Sequence, residues 1–369
     1  MATSSLFPSR VVEKPSLSSP FTFCDRGSVV TFCPIAARLS KRRKAIGSNL
    51  FRPILLVYYL VKASNYPYMH KNVLITGATG LIGTRLTTML GQNGHRVSHL
   101  SRGHRPGTVP TYQWDVGQGK MDARAVEGTE AIVHLAGAGI ADKRWTAGWK
   151  KEILESRVRS AGLLYETLQR ETHQVKTFVS ASAIGIYGEG GPERTFTEMD
   201  GPSNGFLAEV VRQWEEAAGK FSALGIRVVK IRIGILLSGR GGALPEMAWP
   251  VRWCIGSPLG PGNQVLSWVH IDDVCRLFIK AIEEETMHGA YNAVAPAPVD
   301  NREMVEAIAR VLRKPLWAPN VPGFILKLML GEMSELVLKG SLVSSQKAQR
   351  QGFEFKHAHL EGALRDLLA

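Results

Sequence analysis

The sequence predicts an α/β fold, a doubly wound parallel sheet of the Rossmann kind with a smaller, mostly helical C-terminal lobe. Three observations predict it. An apolar, β-branched run, Val73–Thr76, breaks into Gly77, Gly80 and Gly83, spaced three apart. It then opens an amphipathic segment with Leu81, Ile82, Leu86, Met89 and Leu90 at roughly helical spacing. Further short apolar runs, Arg96–Leu100, Glu130–Leu135 and Arg227–Ile233, alternate with longer helical patterns, as parallel strands joined by crossover helices require. The 369 residues, 44% hydrophobic, suit one large α/β domain with an appendage or two modest domains.

Residues 1–68 come first and differ from the rest. They hold ten Lys/Arg against Glu13 and Asp25, so +8 of the net +13 sits there. The folded part is therefore nearly balanced, without a basic stripe or a nucleic-acid motif, which argues against a nucleic-acid partner. The first fifty residues are Ser-rich and acid-poor and end in Arg38, Lys41, Arg42, Arg43 and Lys44. Such a segment cannot bury a core. It reads as a targeting segment of the chloroplast kind, or as a plain basic tail, with a cytoplasmic protein as the alternative if translation starts at Met69. The apolar stretch Ile54–Val61 is far shorter than the roughly 20 residues a spanning helix needs, so no membrane span is expected. Cys24, Cys33, Cys254 and Cys275 show neither CxxC pairing nor metal spacing with histidines, so no metal site is expected.

The stretch from Val73 to Gly83 reads as strand, phosphate loop and helix. Gly77 permits the tight turn, Gly80 lets the backbone approach a pyrophosphate, and Gly83 lets helix pack on strand. Together with Thr79, Leu81 and Ile82 they form the candidate phosphate cradle, where free N–H groups and the helix dipole attract an anion. The next strand ends where this fold chooses its cofactor. An Asp or Glu there would hold a ribose 2′-hydroxyl, but the chain has Ser101 and Arg102, with Arg105 close behind. Those residues suit a 2′-phosphate and favour NADP(H), unless they form only a solvated turn.

Trp114–Val116 ends another strand, from which Asp115 can accept from the adenine amino group beside Val116. Glu130–Leu135 is a buried strand running into Ala136 and Gly137, so that Leu135, Ala136 and Gly137 leave room for the adenine-ribose. Lys143 and Arg144 follow in a loop beside the crevice, and a helical pattern runs from Trp149 to Gln169. Arg227–Ile233 and Ser267–Ile271 read as further strands, and Gly239–Gly242 as a loop over the crevice. Asp272 or Asp273 reads as the cap of a following helix. Trp249, Trp253 and Trp268 are candidate walls of a substrate pocket.

The chain resembles the extended short-chain dehydrogenase/reductase superfamily, and within it the epimerase-family group of NADP-binding proteins with their own C-terminal domain. The resemblance rests on Gly77-Ala-Thr-Gly-Leu-Ile-Gly83, His134-Leu-Ala-Gly137, Ala141-Asp-Lys-Arg-Trp145, Ser180-Ala-Ser-Ala-Ile-Gly-Ile-Tyr-Gly188, Arg232-Ile-Gly234 and Trp268-Val-His-Ile-Asp-Asp273. It continues through Phe206–Glu215 in outline and, after Pro315, through Leu328-Met-Leu-Gly-Glu332 and Gly352-Phe-Glu-Phe355. It implies an NADP-binding domain over 69–295 and a substrate-side domain over 296–369. It also implies that Ser182 is the hydroxyl that polarises a substrate carbonyl. The Tyr-x-x-x-Lys pair the superfamily adds is missing, because Asn204–Trp214 holds no tyrosine and no lysine follows until Lys220. Lys143, Arg144 and Tyr187 are the substitute donors, with Trp268 at the substrate side. The expected function is an NADP(H)-binding oxidoreductase or epimerase-like protein acting on a small carbonyl or hydroxyl substrate. Its rival is a non-catalytic NADP(H)-binding regulator or scaffold in an organelle. The partner implied is a small molecule, and a homodimer is compatible with the sequence.

Overall fold

The computed structural model describes residues 22–25, 28–31, 70–103, 107–191 and 193–368, so Arg105 and most of the expected targeting segment lie outside the described residues. The chain divides into two units, Met1–Pro67 and Tyr68–Ala369. In the first, Thr22–Asp25 (β1) pairs antiparallel with Ser28–Thr31 (β2).

The second unit is built on an eight-stranded sheet. Its strands are β3 (Asn72–Thr76), β4 (Arg96–Ser101), β5 (Thr111–Asp115), β6 (Lys120–Met121), β7 (Ala131–His134), β8 (Thr177–Ala183), β10 (Arg227–Ile233) and β14 (Gly289–Ala293). The order across the sheet is β14-β10-β8-β7-β3-β4-β5-β6, parallel throughout except for β6 against β5. The chain steps outward from β3 to β4 and β5, then returns to the other side of β3 with β7. The strand order therefore reverses between β3 and β7, the place where open α/β sheets bind ligands.

Helices cover both faces. Helix α1 (Leu81–Gln92) and helix α5 (Ile271–Glu283) pack on one face around Leu86, Leu90, Val274 and Phe278. Helix α2 (Ala147–Arg170) and helix α3 (Phe206–Gly219) cover the other around Leu164, Phe178, Ala218 and Phe221. The long α2 starts where Thr146 accepts from the Trp149 N–H at 3.2 Å. Between α3 and α5 come α4 (Ala243–Arg252) and the short strands β11 (Ile235–Leu237), β12 (Val265–Leu266) and β13 (Trp268–His270). β9 (Thr195–Phe196) pairs with a C-terminal strand, Leu342–Val343.

A separate apolar cluster holds three further helices. Helix α4, helix α6 (Asn301–Leu312) and the C-terminal helix Leu360–Leu368 meet around Leu244, Trp268, Met304, Ile308 and Leu364. Two sequence expectations shift here. Ser267–Ile271 is not a strand of the main sheet, since β13 pairs with β11 beyond it. Nor do Asp272 or Asp273 cap α5: His270 does, its Nδ1 accepting the Asp272 N–H at 3.1 Å. Asp272 instead pairs with Arg85 at 2.7 Å, and Asp273 accepts the backbone N–H groups of Lys356 and His357.

Candidate functional site

At the reversal point a buried threonine organises the chain. Thr76, at the end of β3, takes the Leu135 and Ala136 N–H groups on its hydroxyl, each at 3.2 Å, and meets His134 Nδ1 at 2.9 Å. This draws the end of β7 against the turn that follows β3. Gly77 makes that turn with φ +67°, and a Cβ on it would lie 2.8 Å from the Leu135 carbonyl group. Gly83 is seated as tightly, since a Cβ there would strike the Gly77 carbonyl oxygen and the Ala78 backbone. Gly80 is different: its nearest neighbour would be the Gly77 oxygen at 3.4 Å, so it faces open space.

Among the described residues no side chain caps α1. The N–H groups of Leu81, Ile82 and Gly83 are thus left for an external acceptor, beside exposed Thr79 and Gly80. A cavity of about 590 Å³ opens here, walled by Thr79–Leu81, the Ser238–Arg240 loop, Asp272 and Asp366. On the β4 side, Ser101 is half-buried and Arg102 exposed, with no carboxylate at the strand end. Asp115 ends β5, exposed, and accepts the Gln118 N–H at 2.9 Å, while Val116 is half-buried against the core. Leu135 and Ala136 are half-buried and Gly137 is exposed. These residues share one edge of the sheet, and their donors and open space fit a dinucleotide lying across it.

On the far side of the reversal point lies a buried polar chain. Ser182, 2% exposed near the end of β8, donates to Glu215 Oε1 at 2.6 Å. Arg232 from β10 grips the same carboxylate with two donors, at 2.8 and 2.9 Å. Arg232 also donates to the Tyr187 hydroxyl at 2.8 Å, which donates to Asn292 at 2.7 Å. Burial pushes the Glu215 carboxyl up, but the bonds from Arg232 and Ser182 outweigh it and hold the group below the usual carboxylate range. Burial pushes the Tyr187 phenol up to about 12, so it is protonated at neutral pH. The Ser182 hydroxyl and the Tyr187 phenol are both engaged within the protein.

Lys143 and Arg144 are exposed on the loop before α2. Lys143 sits 4.7 Å over the Trp149 ring, and Arg144 donates to the Met329 carbonyl of helix α7 (Gly323–Leu330). Trp268 is fully buried and donates its indole N–H to Ala297 at 2.9 Å, whereas Trp249 and Trp253 are exposed. On α3, Leu207 lies beside Gly185 and Val211 is buried. Sequence reasoning missed Thr76, Glu215 and Arg157. The last was legible, as a charge on the apolar face Ile153, Ala161 and Leu164 of α2.

His270, His357 and Asp366 also gather their polar atoms within 4.8 Å. The imidazoles stack at 3.7 Å, however, and the Asp272 N–H occupies His270 Nδ1. The neutral ring therefore carries its proton on Nε2, which cannot then bind a cation.

A glycine loop opening an uncapped helix at the reversal point of a parallel sheet defines a dinucleotide-binding α/β protein. Residues 73–293 match the NAD dependent epimerase/dehydratase family, and the chain belongs to that family. Residues 321–367 match a domain of unknown function. The chain is 38% identical over 302 residues to epimerase family protein YfhF of Bacillus subtilis, covering 81% of this chain and 98% of that protein. It is 35% identical over 323 residues to the "epimerase family protein SDR39U1 homolog, chloroplastic" of Arabidopsis thaliana, covering 84% and 90%. The crystal structure of human epimerase family protein SDR39U1 (isoform 2) with NADPH superposes with a TM-score of 0.72 at 29% identity, covering 80% of this chain and 98% of that one.

Proposed function

We propose that the protein is an NADP(H)-dependent oxidoreductase or epimerase-like enzyme acting on a small carbonyl or hydroxyl compound. One observation carries the reading: unsatisfied N–H groups at an uncapped helix start face open space over Gly80, and the neighbouring strand end bears Ser101 and Arg102 in place of an acid. The first element suits a pyrophosphate, the second a 2′-phosphate. The human relative crystallised with NADPH supports the choice.

In this reading Asp115, Val116 and Leu135–Gly137 border the adenosine half, and the nicotinamide half extends toward the ends of β7 and β8. Bound NADP(H) supplies or accepts a hydride. The protein's part is to hold and orient. Lys143 and Arg144 stand on the crevice loop as donors to developing charge, and Ser182 acts as a donor only by turning away from Glu215. Residues 69–295 serve the cofactor and 296–369 the substrate side. Residues 1–68 serve as a chloroplast-targeting segment, which the name of the Arabidopsis relative supports.

A second reading, an NADP(H)-binding regulator without turnover, is favoured by specific geometry. Leu207 and Val211 sit on the helix where the resemblance would place a tyrosine and a lysine, and Ser182 is engaged. Fluorescence titration tests the cofactor reading. NADPH should bind about 1–3 kcal/mol more tightly than NADH through charge-assisted contacts to the phosphate. Arg102→Asp should invert that order. Equal affinities of wild type for the two nucleotides would refute the 2′-phosphate assignment, and steady-state reduction over a carbonyl panel separates enzyme from regulator.

A further inference from the structure

Arg157 lies on the buried face of α2 and is 7% exposed. Its Nη1 donates to the Ile153 carbonyl at 2.7 Å, and its Cζ lies over the Trp214 ring on α3, 4.8 Å from the ring centroid. Its Nε is buried without an acceptor, and so is Trp214 Nε1. Among the described residues no carboxylate pairs with it. Burial alone lowers its pKa, to about 10, so the group is charged at neutral pH. A buried guanidinium normally keeps a carboxylate partner, because an unpaired charge inside a protein is destabilising.

The position is informative. A Cβ on Gly137 would lie 3.0 Å from Arg157 Cγ and Cζ, so the missing side chain at 137 lets the guanidinium seat directly against the exposed strand-end segment of the crevice. Although α2 also packs beneath β4 and β5 through Ala161 and Leu164, Arg157 itself seats against Gly137, just after β7, and against Trp214 on α3, which packs on β8 and β10, so the pair stands on the β7–β8 side of the reversal point. Ser101 and Arg102 are at the end of β4, so a 2′-phosphate held there lies across the sheet from Arg157. The acceptor these two donors lack therefore belongs to the other ligand.

We propose that Arg157 and Trp214 form a carboxylate-recognition subsite, and that the substrate is a small carbonyl or hydroxyl acid. This rests on the NADP(H) reading above. The two groups offer donors only, which an anionic oxygen satisfies and a neutral carbonyl matches less well.

The test is calorimetric titration of the full chain, first with NADPH alone and then, loaded with NADPH, with oxamate and malonate against their neutral counterparts oxamide and malonamide. Wild type should bind the acids at least tenfold more tightly than the amides. Arg157→Met should erase that preference while leaving NADPH affinity within twofold. It should also melt at or above wild type without ligand, since it replaces a buried unpaired charge by an apolar chain of similar length. Arg157→Lys, the fallback if the methionine variant does not fold, should keep the preference reduced at least threefold. Equal binding of acids and amides by wild type overturns the proposal, as does an unchanged preference in either variant. A lower melting point with unchanged preference would make Arg157 a packing residue. Absence of NADPH binding to wild type would instead defeat the cofactor reading.

Discussion

Replacing Arg232 by Met would test the buried polar chain most directly. Arg232 is 6% exposed and Glu215 7%, and the substitution removes two bonds to the carboxylate and one to the Tyr187 hydroxyl. Only Ser182 would still donate to Glu215, with the Lys230 ammonium 3.9 Å away. Breaking a buried ion pair from one side costs about 3–5 kcal/mol, because the surviving charge is left without its partner. At about 2–4 °C per kcal/mol for a domain approaching this size, the melting temperature should fall by roughly 6–20 °C.

The pH dependence carries the sign. In wild type the Glu215 pKa is held below its unfolded value of 4.5, so its stabilisation is present above that pH and is lost as pH falls through the folded value. In Arg232→Met, burial should raise the folded pKa above 4.5, so the carboxyl is tolerated at low pH and becomes unfavourable as pH rises through the new value. The deficit relative to wild type should therefore widen between about pH 4 and pH 7. Calorimetry across that range measures it. A deficit below about 1 kcal/mol, or one that does not change with pH, would refute a charged Glu215–Arg232 pair as the organising contact.

Two other substitutions address the crevice. Gly80→Val places a branched side chain in the open space above the phosphate loop, where only the Gly77 oxygen at 3.4 Å stands nearby; NADPH binding should be lost while the melting temperature changes little, and retained affinity would move the pyrophosphate elsewhere. Ser182→Ala separates the two functional readings. If the hydroxyl polarises a carbonyl, turnover over a carbonyl panel should fall about 10²–10³-fold with NADPH affinity unchanged, and full activity would confine Ser182 to holding Glu215.

Much of this molecule is legible before folding. The run Val73–Thr76, the glycines at 77, 80 and 83 and the acid-free end at Ser101–Arg102 depend on neighbours close in sequence, because a strand, a turn and a helix start are local matters of backbone freedom and apolar spacing. Even the close fit of Gly83 on Gly77 joins residues only a few positions apart in the chain. Local reasoning went astray at the start of α5. An aspartate is a frequent helix cap, but Asp272 and Asp273 had distant partners in Arg85 and in the backbone of Lys356 and His357, and His270 took the cap.

Only the tertiary structure decided what the polar side chains do. Ser182 looks in the sequence like a hydroxyl free to meet a substrate, yet its partner is 33 positions away on helix α3, and that partner is held by a third residue on β10. Arg157 looks like one more helix charge until α3 closes over it and no carboxylate among the described residues arrives. A hydrogen bond or an ion pair depends on distances of about 3 Å between atoms brought together by packing. Sequence spacing carries no such distance for residues on different elements, so the sheet and its glycine turn could be read from the chain, while the partners of Ser182 and Arg157 were set by how the helices pack on it.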